Sequence, residues 1–185
     1  MDRAVERLER MAADLGALSH TEGNAHADLE PEPLAVHGVL LAATEGTRPD
    51  FARAGLDLVL EAATPDLMVR ADRLRLGEIL ENLLANSASH TAAGRRVVLG
   101  TRPRGSRVEF YVLDEGCGIR QEDLPLMFEP FFRGNGGSAG HTARPGMGLG
   151  LAIARRLAEA MDGSLALESP GPGLGALAKL SLPQA

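Results

Sequence analysis

The sequence has little of several features that would place it in other classes of protein. Its single cysteine, Cys117, excludes an internal disulfide and is typical of a reducing compartment. No run of about 18 apolar residues is present, so we expect no membrane contact by this chain, and its charged, amphipathic start lacks the apolar core of a signal peptide. The net charge of −6 argues against a nucleic-acid partner, which would require a basic surface. Together these absences predict a cytoplasmic protein.

Aromatic residues are also scarce, at 3 % of the chain, and tryptophan is absent. Hydrophobic residues nevertheless make up 44 % of the 185 residues, so a core of Leu, Ala, Val and Ile side chains is available. A chain of this length can form one compact domain with an appendage.

An N-terminal arm precedes the larger body of the chain. Residues 2–18 predict a helix with one apolar seam, the pattern with which one helix packs against another. The seam consists of Val5, Leu8, Ala12 and Leu15. A polar stretch with two prolines follows and cannot continue this helix. We therefore divide the chain into a helical arm, 1–28, and a second domain, 33–185, and consider a homodimer through the 1–18 helix.

The body of the chain alternates irregularly between helix and strand patterns. Helices are predicted at about 35–54, with an interruption near Gly46 or Pro49, at 72–90, and at 149–161. The strand patterns read, in order, LDLVLEAAT, DLMVRA, RRVVLGTR, RVEFYVLD, SLALES and ALAKLSL. Because hairpins lie beside helices, we predict a two-layer α/β sandwich, with a mixed and mostly antiparallel sheet covered by helices on one face.

Four separated clusters carry residues suited to chemistry, and the first lies on the helix that Asp72 is expected to cap. Asn82 and Asn86 are four residues apart, so their amides leave the helix on one face. An amide can give its oxygen to Mg²⁺ and keep its NH₂ group for a phosphate. Taken alone, the pair is more typical of a polar stripe that faces solvent.

The second cluster directly follows an apolar strand. Its sequence is DEGCGI, residues 114–119, and it begins with the carboxylate of Asp114 and contains two glycines. Glycines let the backbone approach a flat ligand closely, and the carboxylate can accept a hydrogen bond from the amino group of a base. An ordinary turn has the same composition, so this motif is weak by itself.

The third cluster is aromatic. Residues 126–133, LMFEPFFR, overlap a short helical turn near 123–128 and precede a glycine-rich loop. Aromatic side chains in this place would anchor the base of a mobile lid, and the adjacent Arg133 could reach a phosphate. A small satellite core with a surface arginine is the alternative.

The fourth cluster, GMGLGL at residues 146–151, opens a helix. Free backbone N–H groups at a helix start bind phosphate where glycines remove side-chain bulk. A dinucleotide fold would place such a motif in its first strand–turn–helix unit, and a phosphate-binding P-loop would follow it with Lys and then Ser or Thr. Neither condition is met, so both of these sites are disfavoured.

In this order, the clusters resemble the N, G1, F and G2 boxes of the gyrase, Hsp90, histidine kinase and MutL superfamily, whose members have the Bergerat ATP-binding fold. The closest likeness is to the sensor histidine kinases, and it covers about residues 50–183, including the closing GPGLGALAKLSLP. The early stretch RMAADLGALSHTEG resembles the end of the second helix of the dimerisation hairpin of those kinases.

The resemblance implies ATP and Mg²⁺ as cofactors. Asn86 would hold the metal ion and act in catalysis, and Asp114 would bind the adenine amino group. Arg133 is assigned to catalysis beside Asn86 because, next to the glycine-rich loop, it could reach a phosphate. The glycines would let the chain pass the base and shape the lid hinge, and the phenylalanines would seat the lid. The positions implied to contact the nucleotide are Asn82, Asn86, Ser89, His90, Asp114, Gly116, Gly118, Ile119, Phe128, Phe132, Arg133, Gly146, Met147, Gly148, Leu149, Gly150 and Leu151.

Asn82 bears on the type of reaction. In the ATP hydrolases of the superfamily, a glutamate one turn before the metal-binding residue acts as the general base for water, and the resemblance places Asn82 there. An amide cannot take up a proton at neutral pH, and Glu78 lies a further turn, about 6 Å, away. The resemblance therefore indicates a Mg·ATP-dependent protein-histidine kinase catalytic domain of a two-component system.

Two departures from the family pattern keep other functions open. Many of these kinases have a basic residue where this chain has Ser89, and no complete phosphoacceptor sequence follows His20. The acceptor histidine is therefore expected on a helix of a partner chain or of a missing segment, with a response regulator as an indirect partner. The alternatives are a non-catalytic nucleotide-binding or docking module and an anti-sigma-factor serine kinase.

Overall fold

The computed structural model describes residues 29–61, 64–134 and 147–185. The strands of this part are β1 (Glu32–Ala35), β2 (Asp57–Leu60), β3 (Met68–Ala71), β4 (Arg96–Arg104), β5 (Arg107–Asp114), β6 (Ser164–Glu168) and β7 (Ala176–Pro183). The helices are α1 (Val36–Ala54), α2 (Arg73–His90) and α3 (Gly150–Ala160), with a 3₁₀ turn at Leu124–Leu126. None of these helices is long and apolar enough to cross a membrane. The predicted arm, 1–28, and its dimer seam lie outside the described residues.

Five of the strands form one sheet in the order β2-β4-β5-β7-β6. β2 is parallel to β4, whereas the other neighbouring pairs are antiparallel. β1 and β3 form a separate antiparallel pair. Most buried hydrophobic residues of the three helices and of the large sheet belong to one continuous core. The predicted two-layer α/β sandwich with a mixed, mostly antiparallel sheet is therefore confirmed.

Alternation along β5 determines which of its side chains enter the core. Val108, Phe110, Val112 and Asp114 are buried, whereas the residues between them are not. Successive side chains of a strand point to opposite faces of the sheet. Asp114 therefore lies on the same face as the apolar residues of β5, and its carboxylate is directed toward the helical layer.

α2 presents one apolar stripe to the sheet. Its buried residues recur at helical spacing and are Leu76, Ile79, Leu80, Leu83, Leu84 and Ser87. Full burial of one such leucine is worth about 1.5–3 kcal/mol, so the stripe holds the helix firmly against the strands. Ser87, the last buried position, brings a hydroxyl to the end of β5.

α1 departs from its prediction, because the interruption expected near Gly46 or Pro49 is wrong. Val36–Ala54 is one helix with the proline inside it. Pro49 removes the N–H group that would bond to the carbonyl of Glu45, but both residues are exposed, so water can replace the lost partner. Burial of Phe51 after the proline keeps the last turn of the helix against the core.

Asp72 caps α2, as predicted. Its Oδ1 accepts hydrogen bonds from the backbone N–H groups of Leu74 (2.9 Å) and Arg75 (3.0 Å), and its Oδ2 accepts one from that of Glu30 (3.0 Å). Burial raises the pKa of this carboxyl, but the three backbone hydrogen bonds and the charge of Arg75 outweigh the burial and hold the pKa below its usual value. The cap therefore joins α2 to the segment before β1.

Asp72→Ala should lower the free energy of unfolding by about 1 kcal/mol near pH 7, because the first turn of α2 loses its acceptor. Asp72→Asn keeps a capping oxygen and should lose less. A carboxyl with a depressed folded pKa stabilises the fold above its unfolded pKa, and this contribution is lost as the pH falls through the folded pKa. Urea unfolding at decreasing pH should therefore show wild type and Asp72→Ala converging in acid. A difference that stays constant with pH would contradict this role.

Candidate nucleotide-binding site

Asp114 ends β5 inside the protein, with 8 % of its surface exposed. Its Oδ1 accepts hydrogen bonds from the backbone N–H groups of Gly116 (2.9 Å) and Ala176 (3.1 Å), and its Oδ2 accepts one from the hydroxyl of Ser87 (3.2 Å). Burial raises the pKa of this carboxyl, and the hydrogen bonds and His90 only partly offset the effect. Since Oδ2 has one hydrogen-bond donor among the described residues, it can still accept a bond from an N–H group of a ligand.

The two glycines of the loop after β5 are required by the packing of the loop itself. A Cβ at Gly116 would lie 2.6 Å from the carbonyl oxygen of His90, which also accepts a hydrogen bond from the N–H of Cys117 (3.0 Å). Gly118 has a φ of +67° and lies against the carbonyl of Gly171, with no room for a side chain. Their close approach to protein backbone is observed, whereas their approach to a base stays a prediction.

Asn82 and Asn86 lie half-buried, one turn apart on α2. A Cβ at Gly150 would lie 3.2 Å from the Oδ1 of Asn82, so this amide faces the first residue of α3. Asn86 follows one turn later on the same face, in the direction of His90. Asn82 therefore lies beside the start of α3, and Asn86 lies one turn nearer to His90, whose backbone contacts the loop after β5.

The base of the predicted lid packs against the residues that precede α3. The N–H of Phe131 donates to the carbonyl of Gly148 (3.0 Å), and a Cβ at Gly148 would lie 2.8 Å from the carbonyl oxygen of Phe132. Phe131 has a φ of +66°, which is uncommon for a bulky residue, and its side chain is exposed. Phe128 packs against the core, and the guanidinium of Arg155 lies 5.3 Å from its ring centroid. Phe128 thus anchors this segment.

The remaining residues of the fourth cluster have different surroundings. Leu149 and Leu151 are buried, and Met147 packs against the core, so backbone N–H groups are what these residues can offer to a phosphate. Gly150 begins α3, and the N–H groups of a first helical turn have no partner within the helix. Gly146 lies outside the described residues.

Three further polar residues were predicted to contact the nucleotide. Ser89 donates its hydroxyl to the carbonyl of Ala85 in its own helix (2.8 Å), so its proton is already engaged. His90 is the last residue of α2. Loss of hydration lowers the pKa of its imidazole, the charge of Arg133 acts in the same direction, and Asp114 opposes both. Arg133 is itself exposed.

Two buried hydroxyls that hold the site were not found by sequence analysis. Ser87 is the polar end of the apolar stripe of α2, and its position, four residues after Leu83, is a usable signal. Ser169 lies directly after β6 and accepts a hydrogen bond from the N–H of Ile119 (3.0 Å) while donating to the carbonyl of Gly175 (2.7 Å). No periodicity marks Ser169, because its partners depend on the folded turns.

The region of the chain that forms this site matches a known protein family. Residues 71–185, which contain all four clusters, match the family described as histidine kinase-, DNA gyrase B- and HSP90-like ATPase. The chain belongs to this ATPase family.

Sensor proteins are among the relatives of the ATPase domain. The sensor-like histidine kinase SenX3 of Mycobacterium tuberculosis H37Rv is 34 % identical over 178 residues, covering 96 % of this chain and 42 % of SenX3. The virulence sensor protein BvgS of Bordetella bronchiseptica is 40 % identical over 134 residues, covering 69 % of this chain and 10 % of BvgS. The crystal structure of full-length ShkA with AMPPNP has a TM-score of 0.80 and 28 % identity, covering 97 % of this chain and 37 % of ShkA.

The chain therefore spans less than half the length of each of these proteins. The predicted resemblance to the sensor histidine kinases, and with it the fold expected of an ATP-binding domain, is confirmed.

Because Asp114 is buried, we expect the stability of the chain without nucleotide to depend on pH. Because the folded pKa of this carboxyl lies above the unfolded value, its contribution to stability is present at low pH and is lost as the pH rises through the folded pKa. Asp114→Asn keeps an oxygen for the two backbone donors and carries no charge. From about pH 3 to about pH 7, the free energy of unfolding of the variant should rise relative to wild type. Urea unfolding measures it, and parallel curves would contradict the burial of a charge.

Proposed function

We propose that this ATPase domain is the catalytic part of a sensor histidine kinase, which binds Mg·ATP and transfers the γ-phosphoryl group to a histidine on a helix of a partner chain or of another segment. The observation that carries the proposal is a buried carboxylate, Asp114, held by three donors beside a helix that presents amides where a hydrolase would present a base.

Recognition of the base is assigned to Asp114. The backbone N–H groups of Gly116 and Ala176 occupy its Oδ1, so the less occupied Oδ2 is the atom that would accept the adenine amino group. In a site with little water, a hydrogen bond to an ionised carboxylate is stronger than one between neutral groups. The site would therefore distinguish an amino group from an oxygen at this position of the base.

The side chains of α2 favour transfer over hydrolysis of the phosphoryl group. Asn82 has no carboxylate with which to deprotonate a water molecule. Glu78 is paired with Arg75, at 3.2 Å, and the carboxylate of Glu81 lies 3.9 Å from a Cβ built on Gly46 of α1. Glu78 is therefore engaged by an ion pair within its own helix, and the carboxylate of Glu81 is directed toward α1.

Magnesium fits the donor set of the site. Mg²⁺ prefers six oxygen ligands and commonly takes only one or two of them from the protein, with phosphate and water supplying the rest. The amide oxygen of Asn86 would be that protein ligand. When bound, the ion would neutralise negative charge on the phosphates, and the exposed Arg133 would add positive charge from the lid side.

The expected partners follow from the same proposal. The acceptor histidine would lie on a helix that docks against the nucleotide site, and a response regulator would receive the phosphoryl group in a later step. A homodimer through the 1–18 helix stays a prediction, because the arm lies outside the described residues. A cytoplasmic location also stays a prediction.

A non-catalytic nucleotide-binding module is the second candidate, and Ser89 favours it. The resemblance places a basic residue at this position in many kinases, whereas the hydroxyl of Ser89 is bonded to its own helix. A site with less positive charge could bind ATP and yet transfer its phosphoryl group slowly.

The proposal predicts that the chain, given γ-labelled ATP and Mg²⁺, labels a separately purified dimerisation-hairpin fragment of a sensor histidine kinase such as SenX3. The label should be acid-labile and base-stable, as a phosphohistidine is. Asn86→Ala should lower the rate by about 100-fold, because the metal loses its protein ligand. Asp57→Asn, an exposed change on β2, is the matched control and should leave the rate unchanged.

Tight ATP binding without label on any hairpin fragment would contradict the kinase and leave the non-catalytic module. A base-labile phosphoserine on an added protein would support the anti-sigma-factor serine kinase instead.

A further inference from the structure

Ser169 joins two loops of the candidate site through one buried hydroxyl, and the residue is 8 % exposed. Its Oγ accepts hydrogen bonds from the N–H groups of Ile119 (3.0 Å) and Gly171 (3.3 Å) and donates to the carbonyl of Gly175 (2.7 Å). A hydroxyl has one proton and two lone pairs. The side chain is therefore fully used inside the protein, and its bonds connect the β6–β7 turn to the loop after β5.

Backbone contacts strengthen the same connection. The N–H of Gly173, in the turn that begins at Ser169, donates to the carbonyl of Cys117 (2.6 Å). At the end of this turn, the N–H of Ala176 donates to Oδ1 of Asp114 (3.1 Å). The β6–β7 turn thus fixes both the course of the loop and one donor to the carboxylate.

We propose that Ser169 is a positioning residue for nucleotide binding, acting through the loop at 114–119 and through Asp114. This inference rests on the proposed binding of ATP. Removal of the hydroxyl would take away the hydrogen-bond partner of the buried Gly175 carbonyl and of the partly buried Ile119 N–H, which is costly. The loop can regain partners only by moving toward water. That movement would displace the N–H groups of Gly116 and Ala176, which hold the carboxylate of Asp114.

Ser181 offers a matched control on β7. Its hydroxyl accepts a hydrogen bond from Nε of Arg107 (2.7 Å). Ser181 lies five residues along the strand from Ala176, which corresponds to about 17 Å. Ser169→Ala and Ser181→Ala therefore delete the same chemical group, one at the candidate site and one at the far end of the sheet.

The experiment measures the dissociation constant of Mg·ATP by calorimetry for the whole chain and for both variants. Ser169→Ala should bind about tenfold more weakly, and Ser181→Ala should match wild type. In nitrogen-15 NMR spectra without nucleotide, the amide signals of Gly116 and Ala176 should shift in Ser169→Ala and stay in place in Ser181→Ala. Gln121→Ala removes the bond from Nε2 to the carbonyl of Ser169 (2.8 Å) and serves if Ser169→Ala does not fold. It should weaken binding by about threefold.

Wild-type affinity in a folded Ser169→Ala variant would overturn the inference, as would an equal loss of affinity in both serine variants. If Ser169→Ala does not fold, wild-type affinity of Gln121→Ala would overturn it. In each of these cases wild type still binds Mg·ATP, so the proposed function stands. Failure of wild type to bind Mg·ATP would instead overturn the proposed function and this inference together.

Discussion

The carboxylate of Asp114 is buried at the end of β5, and the hydrogen bonds that keep it there connect α2, the loop after β5 and the β6–β7 turn. Burial of a charge is costly unless donors surround it. Its neighbours supply them: Ser87 from α2, and two backbone N–H groups from Gly116 and Ala176. The raised pKa shows that this compensation is incomplete. A ligand amino group would supply a further donor.

The packing around this carboxylate explains why small residues recur there. Gly116 lies against the carbonyl of His90, and Gly150 lies against the amide of Asn82, so that the end of α2 meets the loop and the middle of α2 meets the start of α3. The helix start that would receive phosphate and the carboxylate that would receive the base are thereby held by one helix. Phe128, whose ring lies against the guanidinium of Arg155, connects the segment before residue 134 to the same α3.

Much of this arrangement could be predicted from local patterns in the sequence. Strand alternation and the glycines that follow it marked Asp114, because both signals lie within a few residues of each other. The expected interruption at Pro49 was wrong, since an exposed helix face tolerates a lost hydrogen bond when packing holds the rest. Ser169 could not be found, because its bond to Ile119 spans 50 residues and depends on two folded turns. Phe131, whose N–H donates to the distant Gly148, likewise has a positive φ that no local pattern indicated.

The most direct test of the account compares ATP with inosine triphosphate, which has an oxygen in place of the adenine amino group. Calorimetry in the presence of Mg²⁺ should show at least about tenfold tighter binding of ATP to wild type, because the carboxylate of Asp114 would otherwise face a second acceptor. Asp114→Asn presents an amide that can donate to that oxygen, and it should erase the preference. Equal affinity of wild type for the two nucleotides would contradict the central claim that this buried carboxylate recognises the base through its amino group.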